Sequence, residues 1–463
     1  MHKQLFAIVA GFIVFGAWPA YAQKAPTTPP TFRCMELPHN PDPDLPKIAP
    51  NFRSSTDLSE DEFDCLAWQD FIYMMWPATP GQRGAPNQHA KFGASGQPTV
   101  WETYRTLDSV FLPNAHNPGP WNTPQLMATL QGSPLAQQVA SGAVRNLTQT
   151  SKVSRAVLAN ILRVGGSMPP AVLDSISQAG GGTLYDLNGV PVYYEVSMDQ
   201  VQYDYILKNE LFNADKQLAF AQKNVINLPM GANNNTEGAV EVKAAWKVLT
   251  DAEKKSGHFH MVDALLEGSK TKVTVGLVGF HMFIANGVQG AWATFQQANN
   301  APAGQPAKTG TFNFFNPNCV QPGTTKPCDV NVKDADPGQV VQITPDAAAA
   351  TSLNTYVHYI LQQYDHNSVW LNYNLIDVQW ATSPKPLTGL TPPASVPLPD
   401  GAPNVPPATA DMVSPVLETF LQKPGMGCLS CHQYAPTAAV SGSKDSYAAS
   451  YSFALGHATS PPK

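Results

Sequence analysis

Three runs near the middle of the chain combine apolar residues with alternating polar ones, and this pattern predicts β-strands. The runs read "GAVEVKAAWKVL", "GHFHMVDALLE" and "TKVTVGLVGFHMFI", and short polar turns separate them. Alternation and a high β-branched content are typical of strands. Upstream, Asn188-Gly189 between two β-rich runs predicts a hairpin with a type I′ turn, in which both central residues have positive φ. The stretch "VQGAWATFQQANN" is expected to pass into a loop.

Helical spacing dominates elsewhere in the chain. The stretch "LSEDEFDCLAWQDFIYMMWPA" starts with a capping box at Ser59 and Glu62, continues with apolar residues at helical intervals and ends at Pro77. Further helices are predicted in four segments: 124–162, "SMPPAVLDSISQAG", "DYILKNELFNADKQLAFAQ" and 345–364. The mixture predicts an α+β protein with a central, mainly antiparallel sheet.

Both ends of the chain depart from this pattern. Residues 1–22 have a basic start, an apolar run and a small-x-small ending, which predicts a cleaved signal peptide and a periplasmic or secreted protein of a Gram-negative bacterium. No later run is long enough to predict a membrane span. A main body would occupy 23–383. Nine prolines between residues 384 and 407 predict an extended strap over 384–410, and 411–463 would form a C-terminal segment packed on the body.

Composition narrows the choice of partners. Only 13% of the 463 residues are charged, about half the usual share, and the net charge is −6. These values do not indicate a basic surface that could bind nucleic acid. The partner is therefore expected to be a protein or a small molecule.

The C-terminal segment contains "CLSCHQY", in which Cys428, Cys431 and His432 form a C-x-x-C-H motif. Six cysteines and eleven histidines in this length give roughly 0.002 chance occurrences of that order. A plain disulfide or a thioredoxin-like dithiol is the alternative, but a thioredoxin-like pair begins a helix after a βαβ-type strand, whereas Pro424, Gly425 and Gly427 precede this one. The motif predicts one covalent haem c, with thioethers at both cysteines and His432 as proximal iron ligand.

The other four cysteines are even in number, which suits disulfides in an exported protein. Cys319 and Cys328 flank a Pro/Gly/Thr loop and are predicted to pair. Cys34 would then pair with Cys65. Sequence alone allows three connectivities, and this one contains the shortest loop.

The sixth position of the iron has no obvious ligand. Only residues 433–463 follow the motif, and they contain no methionine. His281, flanked by Gly276 and Gly279 that would let a flat macrocycle or another backbone approach, is a possible distal ligand or pocket residue. His457 is a second candidate. Met426 lies on the side of the thioether links, where reaching the opposite face is sterically unfavourable.

Three histidines define an alternative, haem-free metal site. His258 and His260 alternate in "GHFHM", so on a strand both would face the same side, and His281 lies on a run that would form a neighbouring strand. Three imidazoles in this arrangement could bind zinc, copper or non-haem iron. This defines a haem-free alternative.

The chain resembles exported bacterial cytochrome c family proteins, which are large chains with a single C-x-x-C-H motif and a poorly defined activity. The resemblance covers most of the chain after the signal, and it rests on these phrases: "CLAWQDFIYMMWPA", "VWETYR", "EVKAAWKVL", "GLVGFHMF", "WATFQQANN", "LETFLQ", "CLSCHQYA" and "SYSFALGHA". It implies a periplasmic monohaem protein that binds haem through Cys428, Cys431 and His432. His281 falls in the similar "GxxGxH" phrase.

The expected function is electron transfer through the covalent haem to a redox partner protein. About 400 residues precede the motif, more than a simple carrier needs, so a peroxidase- or oxidase-like haem enzyme with an open distal site and a small-molecule substrate is the alternative. The non-haem metalloprotein using His258, His260 and His281 is the third hypothesis.

Overall fold

The computed structural model describes eight stretches of the chain: residues 60–123, 134–149, 182–231, 238–285, 290–381, 411–423, 426–443 and 445–462. The predicted signal peptide, Cys34, the Pro-rich strap and the helix predicted in "SMPPAVLDSISQAG" lie outside these residues. Within them, no helix is long and apolar enough to cross a bilayer.

Eight strands form one mixed sheet. They are β1 (Arg105–Thr106), β2 (Val144–Leu147), β3 (Tyr193–Met198), β4 (Val240–Val248), β5 (Met261–Leu266), β6 (Lys272–Ile284), β7 (Ala291–Gln297) and β8 (Tyr373–Trp380). The main path runs β1-β3-β4-β6-β5-β2, and β7 joins β6 to β8. Every pair is antiparallel except β2 with β5.

Eight α-helices accompany this sheet in the described residues. They are α1 (Glu60–Met74), α2 (Leu107–Val110), α3 (Pro134–Ala140), α4 (Gln200–Lys208), α5 (Ala214–Ala221), α6 (Asp251–Lys254), α7 (Ala348–Tyr364) and α8 (Cys428–His432). The helices and the mixed, mainly antiparallel sheet confirm the α+β prediction.

The long strand β6 is where the sheet branches. β4 pairs along most of one of its edges, while the other edge pairs with β5 over residues 272–276 and with β7 over residues 279–284. Beyond β2, Thr148 bridges to Tyr194 of β3, so this part of the sheet curls back on itself. β6 therefore carries residues that reach both halves of the sheet.

The two glycines at this branch are close to other side chains. A Cβ on Gly276 would lie 2.8 Å from Leu249, and one on Gly279 would lie 2.7 Å from Val416. The groups that approach both glycines are side chains, not the backbone that was one of the two expectations. At Gly279 the neighbouring group belongs to the C-terminal segment.

The two faces of the sheet differ in polarity because side chains alternate along each strand. Phe280 and Phe295 are a cross-strand pair on one face, where Phe295 stacks on Phe71 of α1 at 4.2 Å between ring centroids. The indole Nε1–H of Trp68 in α1 donates to Asn354 Oδ1 of α7 at 3.0 Å. This face forms the aromatic core, and the opposite face carries polar residues.

Residues 411–462 contact several parts of the main body. The hydroxyl of Tyr194 donates to the carbonyl of Val416 at 3.2 Å. The amide of Gln217 in α5 donates to the carbonyl of Leu455 at 2.9 Å, and its oxygen accepts from the backbone N–H of Ala438. These bonds join the C-terminal segment to β3 and α5.

Three local predictions are wrong. Most of the stretch expected to pass into a loop forms β7, which lies between β6 and β8 and therefore has both edges paired. The four residues of β2 lie within the range predicted as helical, and their pairing with β5 explains the strand. Asn188 has no positive φ, so the Asn188-Gly189 turn is not type I′; Gly189 alone has it, at 72°.

Candidate functional site

The polar face of the sheet contains two cross-strand rows of side chains. Lys243, His281 and Thr294 are register partners on β4, β6 and β7. Two residues further along, Glu241, Phe283 and Trp292 form the next row. Register partners point to the same side of a sheet, so six side chains from three strands share one surface.

Helix α8, which carries the C-x-x-C-H motif, is bound to the sheet next to this surface. The side-chain oxygen of Gln379 on β8 accepts the backbone N–H of Leu429 at 2.7 Å. Gly427 precedes the helix, and a Cβ there would collide with the Gln379 amide. The glycine therefore allows the motif to approach β8.

A cleft of about 780 Å³, including the part open to solvent, lies between the rows and the C-terminal segment. This volume is in the range of cofactor and ligand pockets. Its walls contain Cys428, Cys431 and His432 together with His281 and His457. Both cysteines are thiols in the structure. Residues more than 170 positions apart thus share one cavity, which we call the motif cavity.

The ring of His432 is held in a defined orientation. Its Nδ1 is 2.8 Å from the carbonyl oxygen of Tyr451, which can only accept a hydrogen bond, so Nδ1 carries the proton. In the neutral ring, Nε2 then carries the lone pair. The ring lies between Trp292 and Phe453, with centroid distances of 4.3 and 4.9 Å. Metal-ligating histidines usually have such a second-nitrogen contact to a carbonyl or carboxylate.

His281 lines the same cavity, but both of its ring nitrogens are hydrogen-bonded. Nε2 is 2.7 Å from Glu418 Oε2, and Nδ1 is 2.9 Å from Thr294 Oγ1. Lys243 Nζ lies 3.7 Å from the other oxygen of Glu418. Ligation of a metal by His281 would therefore require one of these two bonds to break.

His457 has a different environment. It lines the motif cavity, and neither ring nitrogen has a hydrogen-bond partner among the residues that the structure describes. Burial lowers the pKa of His457 to about 4, so the ring is neutral at neutral pH. Its nearest aromatic neighbour is Phe111, with ring centroids 6.4 Å apart. A neutral imidazole is the form that binds a metal.

Glu241 contributes a buried carboxyl group to the cavity wall. It accepts hydrogen bonds from the Ser452 hydroxyl and, at 2.9 Å, from the Gln202 amide. Burial raises the pKa of Glu241 despite these bonds. No lysine or arginine forms a salt bridge with this carboxyl in the described part of the chain.

Sequence reasoning did not identify several of these residues as part of a site. Met412 lines the cavity, as Met426 does, but it belongs to no recognisable sequence pattern. Glu241 and Lys243 lie in the run "GAVEVKAAWKVL", whose pattern predicts a strand and no site. Glu418, which bonds His281, lies in the "LETFLQ" phrase, but nothing in that phrase marks it as a site residue.

The structure does not bring His258, His260 and His281 together. His260 precedes β5; its Nε2 is 2.7 Å from Glu102 Oε1, and its ring stacks on Trp370. His281 bonds to Glu418 instead. Among the described residues there is no group of three histidine, cysteine or acidic side chains that could hold a metal ion.

The Cys319–Cys328 disulfide is confirmed, with 5.5 Å between the two Cα atoms. Cys65 is also disulfide-bonded. Its predicted partner, Cys34, lies outside the described residues.

Comparison with protein-family models, with curated proteins and with solved structures finds no match to this chain.

Proposed function

We propose that this chain is an exported monohaem c-type cytochrome whose haem is attached through Cys428 and Cys431 and ligated by His432. The observation that carries the proposal is the His432 ring in the motif cavity, with Nδ1–H bonded to the Tyr451 carbonyl. A C-x-x-C-H sequence alone does not orient its imidazole. The hydrogen bond gives the ring the tautomer that an iron ligand needs, and the aromatic neighbours help to hold its orientation.

The residues of the cavity suit a haem in two further respects. The two thiols can each add their S–H across one haem vinyl group, forming a C–S bond without a leaving group or an external oxidant. The apolar part of the wall includes Leu107, Val196 and Val242, and apolar surroundings exclude water from a porphyrin. When bound, haem supplies an iron that exchanges one electron between its Fe(II) and Fe(III) states.

We further propose His457 as the protein ligand for the sixth position, ahead of His281. The preference rests on hydrogen bonding: His281 already bonds to Glu418 and Thr294, whereas His457 has no hydrogen-bond partner in the described residues. His281 would instead act as a polar wall residue. A six-coordinate iron favours electron transfer to a redox partner protein.

A haem enzyme remains the second candidate function, and the polar wall supports it. Glu418, His281 and Lys243 place acid, base and cation side chains along one side of the cavity. Polarity and hydrogen-bond donors around the distal face are what direct a haem towards reaction with peroxide or another small substrate. In that case His457 would not bind the iron, and the sixth position would be available to a substrate.

Mass spectrometry tests haem attachment. The chain is expressed with its predicted signal in a bacterium that matures c-type cytochromes, and the tryptic peptide containing both cysteines should gain one haem mass. The Cys428→Ser/Cys431→Ser double variant should lose it, while Cys319→Ser/Cys328→Ser should retain it. A wild-type peptide without the adduct contradicts the proposal, and retention of the signal peptide in exported protein contradicts the predicted cleavage.

Optical spectra test the sixth ligand and separate the two functions. Electron transfer through a six-coordinate iron predicts a low-spin spectrum that does not change with carbon monoxide. His457→Ala should convert it to a high-spin, carbon monoxide-binding form, and His281→Ala and the exposed His366→Ala should not. A wild-type spectrum that is high-spin and shifts with peroxide would favour the enzyme, and conversion by His281→Ala alone would contradict the choice of His457.

A further inference from the structure

A second cavity, separate from the motif cavity, is unusually rich in arginine. It has a volume of about 580 Å³ including its open part, and Arg83, Arg105 and Arg145 line it. β1, α2, β2 and α3 supply most of the other lining residues. Three guanidinium groups around one cavity are unexpected in a chain with a net charge of −6.

The carboxylates near these arginines already have partners. Arg145 forms a bidentate buried salt bridge with Glu195, with Nε 3.0 and 2.9 Å from the two carboxylate oxygens. Glu102 bonds to His260. Asp108 is exposed and accepts from the Thr106 hydroxyl and the Asn146 amide. Arg145 is therefore neutralised within the protein, whereas Arg105 has no salt bridge to any of these three carboxylates.

Arg105 is the most informative of the three. Only 1% of its surface is exposed, and it forms no salt bridge among the described residues. Its Nε and Nη2 donate to the carbonyls of Trp121 and Pro120 at 3.1 and 2.7 Å, Nη1 has no acceptor, and the guanidinium lies 4.9 Å above the Tyr203 ring. All of these contacts are with neutral groups. Burial of a cation without an anion is costly, and a bound anion would offset that cost.

Arg83 adds to the positive potential of the cavity. Its Nη1 donates to the carbonyl of Thr103 at 2.5 Å, and the guanidinium lies 5.6 Å from the Trp121 ring. Burial, followed by repulsion from Arg105 and Arg145, lowers the pKa of Arg83 to about 10. Mutual repulsion of this kind is relieved when an anion binds between the cations.

We propose that this cavity binds the carboxylate of a small organic acid through Arg83 and Arg105. The guanidinium fork matches the two oxygens of a carboxylate. Leu112, Val139 and Val144 also line the cavity and provide an apolar surface for the body of such an acid. Inorganic phosphate shares the oxyanion chemistry but has no group for the apolar wall, so it should bind more weakly.

The wall between the two cavities belongs to a single short segment. Thr106, Asp108 and Ser109 line the arginine cavity, whereas Leu107 lines the motif cavity. The proposed anion would therefore bind next to the haem site. Its binding is nevertheless independent of haem, because none of the three arginines lines the motif cavity.

Titration calorimetry at low ionic strength tests the proposal on the full chain. Benzoate is the organic acid, benzyl alcohol is its uncharged counterpart, and inorganic phosphate is the second oxyanion. We expect saturable binding of benzoate, weaker binding of phosphate and no binding of benzyl alcohol. Arg105→Gln should weaken benzoate binding by about tenfold or more, since the charge-assisted contact from the guanidinium is lost.

A second pair of variants keeps all three arginines in place. Ser109→Glu adds a carboxylate to the cavity wall and should weaken benzoate binding by about tenfold. Ser352→Glu makes the same change on the exposed side of α7 and should leave it unchanged. If benzoate does not bind, if phosphate binds as tightly as benzoate, or if Ser352→Glu weakens binding as much as Ser109→Glu, the proposal is wrong.

Discussion

Asp377 should make the stability of this protein depend on pH. The residue lies on β8, opposite Thr294 in register, and only 3% of it is exposed. Burial raises the pKa of Asp377 from 3.8 to about 8, more than the hydrogen bond from the Val378 N–H lowers it. Asp64 of α1 is fully buried close to Asp377. Burial, and then the charge of Asp377, raise the pKa of Asp64 as well.

The direction of the effect follows from proton binding. Between pH 3.8 and 8 the folded protein keeps the proton on Asp377, while the unfolded chain loses it, so the free energy of unfolding falls as pH rises through this window. Each pH unit contributes about 1.4 kcal/mol. Asp377→Asn imitates the neutral acid at every pH and retains an oxygen to accept the Val378 N–H. The variant should therefore be more stable than the wild type by about 4 kcal/mol at pH 7 and equally stable at pH 4.

Urea unfolding followed by tryptophan fluorescence at pH 4, 5.5, 7 and 8.5 measures this difference. Asp204→Asn, at an exposed position of α4, is the matched control and should show no pH-dependent gain. A difference between Asp377→Asn and wild type that is the same at pH 4 and pH 7 would refute the reasoning. So would a variant that is less stable than wild type at pH 7.

Three further substitutions test other parts of the structure. Arg145→Met leaves Glu195 buried without its cation and should reduce the free energy of unfolding by about 3 to 5 kcal/mol; a loss below 1 kcal/mol in urea unfolding would contradict the buried salt bridge. Cys319→Ser opens a disulfide with a sequence separation of 9 and should cost about 2.5 kcal/mol. Thermal unfolding of Cys319→Ser/Cys328→Ser should show the same loss, because that variant also opens only this bond. Gly279→Ala places a Cβ 2.7 Å from Val416 and should reduce the free energy of unfolding by about 1 to 3 kcal/mol. Limited proteolysis should then cleave the segment around Val416 faster than in wild type. An unchanged cleavage rate would argue against this contact.

Local sequence patterns predicted the elements with strong periodicity. α1, β4 and β6 lie where a capping box or apolar alternation predicted them, because those signals come from neighbouring residues. β7 was not predicted. Its residues "AWATFQQ" have no regular alternation, and all seven are buried between two partner strands. Such a strand is defined by pairing on both edges, which depends on residues far away in the chain.

The cysteine and histidine motif is likewise a property of the sequence, since thiol spacing and an adjacent imidazole occur within five residues. Which other residues line the cavity around the motif is not a property of the local sequence. His457 lies 25 positions after His432 and His281 lies 151 before it, and only the branching of the sheet at β6 and the bond from Leu429 to Gln379 place all three in one cavity. Tertiary structure also decided which imidazole is already hydrogen-bonded.

Local patterns alone predicted the α+β class, the Cys319–Cys328 disulfide and the position of the motif, because each signal lies within a short stretch of chain. The partners of His281, the neutral surroundings of Arg105 and the burial of Asp377 follow only from the three-dimensional arrangement. These properties arise from side chains that meet across strands and helices, and the free energy of a buried charge depends on all the groups that surround it.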